Sequence, residues 1–426
     1  MISITTQNIN DYLHFGYVPE FGDPSIINHI LNPPIGLDSL EGYSEEDLIQ
    51  QGIKVLNNVF DELVKTNDVT KNIIPLSGGL DSRLILAALV ERMDPNKIEA
   101  LTFGSPGTFD YDLPDKVVKK TQVKSRKINC ISLDYSLNKL VEATNNGGEW
   151  TSVPDNYINR LSLEDNKDVG HWSGFMGGEI GGEYSTLGSE NGDNSSIFSN
   201  YQRRSKSLKL TSENYNPMRS LKKTSVVPYN LTEFEMLFLT NRSAGGAIPI
   251  MYPKNKAVIS PFLHPLWVNF IIRVPKKYRE HADIFQKIIL RMYPELMSLG
   301  CKNNNGLGLG NKNKTQHFFN LINLKIRYEV KQFMNSVNYP PIGINYLHYK
   351  SAIKTIPSLN NALIESCNCL EDRGVIPWLS PNKILQQHLS GEVDNSEPLL
   401  ILLGLEVNLR AEESYKIVKN RIDHGS

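Results

Sequence analysis

A strand, a turn of small residues and a helix are predicted in immediate succession within residues 72–93. The apolar run 72–76 has the length and composition of a buried parallel strand, and the apolar spacing over 82–93 is typical of a helix. The turn that joins them, 77–82, reads Ser-Gly-Gly-Leu-Asp-Ser. Because parallel strands must be joined by crossovers that usually contain a helix, this unit favours an α/β fold.

The turn has the composition of a phosphate-binding loop. Gly78 and Gly79 are expected to adopt backbone angles closed to other residues and to let the backbone approach a ligand closely. The N–H groups at the start of the following helix lack partners within it and favour an anion. Ser77 and Ser82 add hydroxyl donors, and Asp81 is placed to hold magnesium against phosphate oxygens. The turn lacks the Lys-Ser or Lys-Thr pair of the common nucleotide-binding loop, which argues against a kinase or a GTPase.

Further alternation of strands and helices extends the predicted sheet. A helix is expected at 44–65 before the first strand, and residues 1–43 are expected to be irregular. The elements that follow are a strand at 98–103, a helix at 113–122, a strand at 128–133, a helix at 135–145 and a strand at 169–172. This order predicts a doubly wound parallel sheet with right-handed crossovers. The loops after Leu76, Phe103 and Trp172 should meet beyond the carboxyl ends of the strands, where such sheets bind ligands.

A second glycine-rich turn follows the predicted strand at 169–172. Residues 173–184 read Ser-Gly-Phe-Met-Gly-Gly-Glu-Ile-Gly-Gly-Glu-Tyr, with carboxylates at Glu179 and Glu183. Because this turn follows a strand of the same sheet, it is expected to lie at the same edge as the first turn. His171, just before it, is predicted to be a core residue.

Both turns resemble those of one group of enzymes. The first resembles the Ser-Gly-Gly-x-Asp-Ser signature of the ATP pyrophosphatases, and the second resembles the Ser-Gly-x-Gly-x-Asp-Glu-x-x-Gly-Gly-Tyr segment in the synthase domain of asparagine synthetases. Met176 and Glu183 replace glycines of that segment, and Gly178 replaces an aspartate that helps to hold magnesium. Three alternatives for the metal stay open: Glu179, Glu183, or Asp81 with the phosphates alone.

Other stretches resemble the same family. Residues 259–264 resemble the Val-Pro-Phe-Leu-Asp element of its helical region, with His264 in place of the aspartate, and residues 285–296 resemble the helix that follows. Residues 15–19 and 33–36 resemble the segment that leads out of its glutaminase domain. The resemblance implies an ATP-pyrophosphatase sheet, of the adenine-nucleotide α-hydrolase type, with a largely helical C-terminal region.

The chain is expected to divide into four parts. An N-terminal segment resembling the glutaminase–synthase linker, an α/β core, a polar insertion and a mostly helical region are assigned to 1–45, 46–185, 186–230 and 231–426. The insertion is basic, and its composition suits a solvated loop as well as an anion-binding surface.

The resemblance implies an AMP-forming carbon–nitrogen ligase that makes amides. A carboxylate on a small molecule or a peptide would be adenylated by ATP, with release of pyrophosphate, and then passed to ammonia or an amine. The implied cofactors are ATP and Mg²⁺, with Asp81 and Glu179 as metal ligands; Glu179 and, with less support, Tyr184 are also catalytic candidates. The residues implied to bind ATP or pyrophosphate are Ser77, Gly78, Gly79, Leu80, Asp81, Ser82, Thr102, Phe103, Gly104, Ser173 and Gly174.

A lysine is also implied, because charge must be neutralised in the adenylation transition state. Lys302 resembles the family lysine in its place along the chain, and Lys312 and Lys314 are alternatives. The adenine is expected near residues 102–104, with Asp110 beyond it.

The amine has several expected sources. Asparagine synthetases carry a glutaminase whose nucleophile is a cysteine after the initiator methionine, whereas Ile2 stands there in this chain and the first cysteine is Cys130. The amine is therefore expected from free ammonia, from a separate glutaminase, or from the substrate itself, as in the related β-lactam synthetases and lasso-peptide cyclases. Two further classes stay open: a tRNA-modifying ATP pyrophosphatase and a non-catalytic binding protein.

Charge and composition argue against some partners. The chain has 45 Lys and Arg against 46 Asp and Glu, so its net charge of −1 gives no electrostatic case for nucleic acid or an anionic membrane. No stretch is apolar enough to span a bilayer, and no basic-then-apolar leader begins the chain. The four cysteines have neither disulfide nor zinc spacing and are expected to be reduced thiols of a cytoplasmic protein. The oligomeric state stays open.

Overall fold

The centre of the molecule is a five-stranded sheet in which every pair of neighbouring strands is parallel. The computed structural model describes residues 4–144, 150–187, 210–223, 227–253, 256–310, 313–333 and 346–424. The strands are β1 (Lys71–Pro75), β2 (Ile98–Gly104), β3 (Lys124–Asn129), β4 (Val169–Trp172) and β5 (Val258–Ile259). Their order across the sheet is β3-β2-β1-β4-β5. The chain winds outward from central β1 on both sides, which is consistent with the predicted doubly wound α/β class.

Helices of the first half of the chain lie before and between these strands. They are α1 (Thr6–Phe15), α2 (Asn28–Leu31), α3 (Glu45–Thr66), α4 (Asp81–Arg92), α5 (Phe109–Asp112), α6 (Pro114–Thr121), α7 (Leu137–Thr144) and α8 (Val153–Arg160). The predicted helix at 44–65 is confirmed as α3, which begins with a capping box between Ser44 and Asp47. The predicted strand–turn–helix unit is confirmed as β1 and α4, within one residue at each end.

The region after residue 231 is mostly helical, as predicted. Its helices are α9 (Glu233–Leu237), α10 (Ile248–Met251), α11 (Pro265–Ile271), α12 (Lys276–Arg279), α13 (Asp283–Met292), α14 (Pro294–Met297), α15 (Lys314–Phe333), α16 (Tyr349–Thr355), α17 (Pro357–Arg373), α18 (Pro381–Ser390) and α19 (Ser396–His424). Strand β5 also belongs to this region; at two residues it is too short to produce a periodic sequence pattern.

The cysteines carry no disulfide, as predicted. Cys130, Cys301 and Cys367 are buried and Cys369 is half-buried, and all four are free. No helix in the described part of the chain combines the length and the apolar composition that a bilayer crossing requires.

The two faces of the sheet pack against different core clusters. The face that carries Ile74 and Trp172 belongs to the largest core cluster, to which α3 and α4 contribute. The opposite face has a small cluster of Ile73, Leu101 and Val169, with Ile128 packed beside it. Phe103, two residues after Leu101 on the same face, packs against a separate cluster that includes residues of α7 and α8.

The third strand was predicted at 128–133, and this prediction is wrong by four residues. The strand is Lys124–Asn129, paired with β2 from Glu99 to Gly104, and Cys130–Ser132 forms a 3₁₀ turn. β3 is an edge strand whose first half is exposed, so it does not need the apolar run that the sequence offers a few residues later.

The prediction that residues 1–43 are irregular is also wrong, because they contain α1. Its N-terminus has a capping box between Thr5 and Asn8. The helix is buried on faces that carry polar side chains: Asn10 accepts a hydrogen bond from the Ser212 N–H at 2.8 Å, and Asp11 accepts one from the Tyr215 hydroxyl at 2.8 Å. These polar contacts conceal the helical periodicity in the sequence.

The contacts with α1 come from the predicted insertion at 186–230. Residues 210–223 of it pack on the first helix, whereas 188–209 and 224–226 lie outside the described residues. The insertion is therefore in part a structural cover for the N-terminal helix.

A buried ion pair binds the backbone of the second glycine-rich turn. Arg279 Nη2 lies 2.6 Å from Glu235 Oε1, and the two side chains are 0% and 2% exposed. The same nitrogen donates to the Ile180 carbonyl at 3.0 Å, so the guanidinium joins α9 and α12 to the turn. The Arg279 carbonyl lies where a Cβ on Gly182 would be, and Gly182 has φ +107°. Only glycine fits this position without strain.

We expect Arg279→Met to lower the free energy of unfolding by about 3–5 kcal/mol, because Glu235 would be left as a buried, unpaired charge. The double variant Arg279→Met/Glu235→Leu should regain part of the loss. Urea unfolding of the three proteins measures both effects. A loss below about 1 kcal/mol in the single variant, a value typical of exposed pairs, would contradict the assignment.

Candidate active site

The first turn is held in shape by its own side chains. The Ser77 N–H donates to Ser82 Oγ at 3.1 Å, and the Gly79 N–H donates to Ser77 Oγ at 3.1 Å. Both hydroxyl oxygens accept, and a hydroxyl that accepts still has a proton to donate. No side chain caps the N-terminus of α4. The first N–H groups of this helix are therefore available to an anion.

The backbone angles of the two glycines in the first turn differ from the prediction. Neither Gly78 nor Gly79 has a left-handed φ, so the expected unusual backbone angles are not found. A Cβ on Gly78 would lie 2.7 Å from the Phe109 carbonyl oxygen. Gly78 is thus needed for a close approach, and the partner is the backbone of α5.

Asp110 joins the first turn to Lys302. Its Oδ1 accepts from the Gly78 N–H at 2.8 Å, and its Oδ2 lies 3.1 Å from Lys302 Nζ. The Lys302 N–H in turn donates to the Gly78 carbonyl at 2.9 Å. The Asp110 side chain is 6% exposed and that of Lys302 is 38% exposed. The lysine ammonium is thus fixed beside the turn and remains open to a ligand.

Arg83 was not predicted to have a role, and it holds the segment that carries Lys302. The side chain is fully buried in α4, and its guanidinium donates to the carbonyls of Leu296 (3.1 Å), Leu299 (2.9 Å) and Gly300 (2.8 Å). The sequence does contain a signal, because α4 is apolar on all sides over 84–89 and such a helix is buried. A charged residue in it must find buried partners.

The second turn places its backbone against Asp81. The Ser173 N–H donates to the Ile259 carbonyl at 2.8 Å, which ties the turn to β5. A Cβ on Gly177 would lie 2.3 Å from Asp81 Oδ1, and a Cβ on Gly174 would lie 3.1 Å from the Asp81 Cβ. The glycines therefore make room for the Asp81 carboxylate, and the two predicted turns meet at one place.

Three carboxylates gather where the turns meet. Burial, followed by repulsion from Glu179 and Glu183, raises the pKa of Asp81 to about 7, against which Lys302 acts to lower it. Burial and repulsion from Glu183 raise the pKa of Glu179 to about 7. Glu183 Oε2 lies 2.8 Å from where a Cβ on Gly178 would be. Carboxylates this close favour a proton or a cation between them.

The donor set suits magnesium held mainly by a bound phosphate. In the described residues no group of three or more His, Cys, Asp or Glu side chains is arranged to hold a metal ion by itself. Mg²⁺ typically takes one or two carboxylates and completes its shell with water and substrate phosphates. Asp81 and Glu179 fit that requirement, with Glu183 as a neighbour that adds negative charge.

A cleft with about 870 Å³ of free space, part of it open to solvent, lies beside both turns. The cleft lies where the chain reverses its winding direction, between β1 and β4, which is the usual binding position in such sheets. It is lined by Pro75, Leu76, Ser77, Asp81, Ser82, Phe103, Asp110, Asn159, Ser162, Leu163, His171, Trp172, Ser173, Gly174, Met251, Val258, Lys302 and Tyr346.

Seven of the predicted site residues line the cleft. They are Ser77, Asp81, Ser82, Phe103, Ser173, Gly174 and Lys302. The predicted residues 78–80 belong to the same turn, and Glu179 lies next to Asp81. Of the alternative lysines, Lys312 lies outside the described residues, and the side chain of Lys314 is not among those described.

Three predicted residues are placed elsewhere. Thr102 is buried and its hydroxyl donates to the Leu76 carbonyl at 3.0 Å, so it ties β2 to the end of β1. Gly104, with φ +154°, ends β2 and is not among the lining residues. Tyr184 packs against Phe238 with ring centroids 4.5 Å apart and does not line the cleft. His171 is 5% exposed, as expected of a core residue, and also contributes to the cleft wall.

No protein-family model matches this chain, and a search of curated proteins finds no match to it. The relationship suggested by the two turns therefore stays a proposal.

The raised pKa values predict a dependence of stability on pH. The pKa of Asp81 is raised from 3.8 to about 7 in the folded state, so folding takes up a proton at pH values between these two. The contribution of the protonated Asp81 carboxyl to the free energy of unfolding is therefore lost as the pH rises through about 7. Without metal or nucleotide, Asp81→Asn should therefore melt at a higher temperature than the wild type at about pH 8 and at a similar temperature at about pH 4.

Thermal unfolding at both pH values measures this difference. Asp372→Asn, which changes an exposed carboxylate on α17, is the matched control and should show no such pH-dependent gain. A lower melting temperature for Asp81→Asn at the higher pH would show that the Asp81 carboxylate is stabilised in the apoprotein.

Proposed function

We propose that the protein is an ATP-dependent, amide-forming ligase of the asparagine synthetase type, acting without its own glutaminase. The observation that carries the proposal is the position of Lys302 beside the first turn. Its backbone N–H binds the Gly78 carbonyl, and its ammonium binds Asp110, which in turn accepts from the Gly78 N–H. The start of α4, the fixed ammonium of Lys302 and the Asp81 carboxylate then face one cleft, with Glu179 next to Asp81. These are the groups that an adenylation site needs.

The reaction has two balanced steps. A substrate carboxylate oxygen attacks the α-phosphorus of ATP, and the bond from that phosphorus to the bridging oxygen breaks, so that an acyl-adenylate and pyrophosphate form. The nitrogen of ammonia or of an amine then attacks the acyl carbon. The carbon–oxygen bond to AMP breaks, the nitrogen loses a proton to solvent or a nearby base, and the amide and AMP remain.

Each group of the site has a role in the first step. The N–H groups at the start of α4, with Ser77 and Ser82, bind the pyrophosphate oxygens. Lys302 offsets the negative charge that develops around the α-phosphorus, while Asp110 holds its ammonium in place. Asp81 and Glu179 would hold a Mg²⁺ ion, which would supply charge neutralisation to the phosphates.

Glu183 compensates for the departure at position 178. On the family comparison Gly178 stands in place of an aspartate and Glu183 in place of a glycine, and the Glu183 carboxylate lies against Gly178. The Glu183 side chain thus supplies a carboxylate near position 178, although it comes from a different position of the turn. Tyr184 receives no catalytic role in this proposal, because it packs among aromatic rings.

The test is pyrophosphate release from Mg-ATP with a panel of small-molecule and peptide carboxylates, with and without ammonium. Lys302→Met should reduce acid-dependent release by about 10²–10³-fold, which is typical for the loss of a group that stabilises transition-state charge. Asp81→Asn should also abolish most of it. Ammonium dependence would distinguish ammonia, whether free or from a separate glutaminase, from an amine within the substrate.

Lys54→Met, an exposed lysine on α3, is the matched control and should keep the wild-type rate. Release that depends on tRNA instead of an acid would favour the base-modifying class. A nucleotide that binds without being cleaved, with every acid of the panel, would favour a non-catalytic binding protein.

A further inference from the structure

The residues that line the cleft lie on both sides of β1, and we call the two groups the β2 arm and the β4–β5 arm. Phe103 of β2 and Tyr346 stack with ring centroids 5.8 Å apart and line the arm on the β2 side. The other arm lies over β4 and β5. The described residues that line this β4–β5 arm are Asn159, Ser162, Leu163, His171, Met251 and Val258. Because the aromatic pair suits an adenine ring, the β4–β5 arm is left for the second substrate.

The described residues that line the β4–β5 arm include no charged side chain at neutral pH. Leu163, Met251 and Val258 are apolar, and His171 and Val258 lie on the sheet face that carries Ile73. Burial is the main cause that lowers the pKa of His171, so its ring is neutral near pH 7. This contrasts with the charged end of the cleft at Asp81 and Lys302.

The polar groups of the arm are already bound to the backbone. The Asn159 amide donates to the Ile250 carbonyl at 2.5 Å, and the Ser162 hydroxyl donates to the Asn159 carbonyl at 2.5 Å. His171 Nε2 accepts from the Glu164 N–H at 3.2 Å. The Lys256 ammonium near His171 is also engaged, because it binds the Glu164 carbonyl at 3.2 Å and pairs with Asp165. A ligand charge in the arm would lose its hydration and would have to compete for groups that already have partners.

We propose that the β4–β5 arm binds the uncharged, apolar chain of the acid substrate, whose carboxylate points toward Lys302. The substrate class is then a monocarboxylic acid with an apolar chain, and a dicarboxylic acid such as aspartate is excluded. This inference rests on the proposed function. The apolar wall gains by covering an alkyl chain, whereas a second carboxylate would be buried without a partner.

Hexanoate and adipate are matched probes, because they have the same chain length and differ in the second carboxylate. Pyrophosphate release from Mg-ATP is measured with each acid, with hydroxylamine present to convert the acyl-adenylate to a hydroxamate and AMP. Wild-type protein should react at least about tenfold faster with hexanoate. Equal rates, or a faster rate with adipate, would overturn the proposal.

A gain of function separates this effect from misfolding. Met251→Lys keeps an unbranched side chain and adds an ammonium to the wall, so the preference should move toward adipate by at least about tenfold. Val393→Lys, which places a lysine at an exposed site far along the chain, should keep the wild-type preference. An unchanged preference in Met251→Lys would show that the acyl chain binds elsewhere.

Direct binding distinguishes failure of this inference from failure of the proposed function. Calorimetry is performed with hexanoate in the presence of an ATP analogue that cannot be cleaved between the α and β phosphates. Suppose that no acid releases pyrophosphate, yet hexanoate binds and Met251→Lys weakens that binding at least about tenfold. The proposed ligase function is then wrong, and the assignment of the β4–β5 arm to an apolar chain is supported. If hexanoate does not bind, the arm is not an acyl site.

Discussion

The Asp110 carboxylate is the contact on which the arrangement of the site depends. One of its oxygens accepts from the backbone of the first turn and the other binds Lys302, which lies 192 residues further along the chain. A charge-assisted bond on each side fixes the distance between a helix end and an ammonium. Asp110 is nearly inaccessible to water, so its bond to the turn acts in a medium of low polarity, whereas its bond to the half-buried Lys302 is partly screened by solvent.

The site is also a region of unfavourable electrostatics in the free protein. Asp81, Glu179 and Glu183 repel one another, and at Asp81 this repulsion is opposed by Lys302 and by a hydrogen bond from the backbone of Asp81 itself. A bound cation would relieve this repulsion. The repulsion in the free protein therefore favours binding of the cation. Sites that act on charged ligands commonly keep groups in such a state, at some loss of stability.

Much of the fold could be predicted from the sequence, since strong local patterns coincide with deeply buried elements. The unit of β1 and α4 has an apolar strand, a glycine turn and a helix in one stretch, and its neighbours alternate in the same way. Helix α1 and strand β3 were mispredicted because polar residues are buried in the one and exposed along the other. In both, tertiary contacts and not local periodicity decide the structure.

The site was predictable in part for the same reason. The two turns are local motifs, so their meeting at Asp81 follows from the topology of a parallel sheet. The support from Arg83 and the wall formed by Asn159, Met251 and Val258 depend on segments far apart in the chain. No short pattern marks such contacts.

The second face of the sheet carries both a small apolar cluster and part of the cleft wall. Sheets of this kind are normally covered on both sides by the chain itself. Here Ile73, Leu101 and Val169 form a small cluster, and His171 and Val258 of the cleft wall lie on the same face. An apolar ligand lying there would serve as a missing piece of the protein interior, so that occupancy and rigidity of the central strands would rise together.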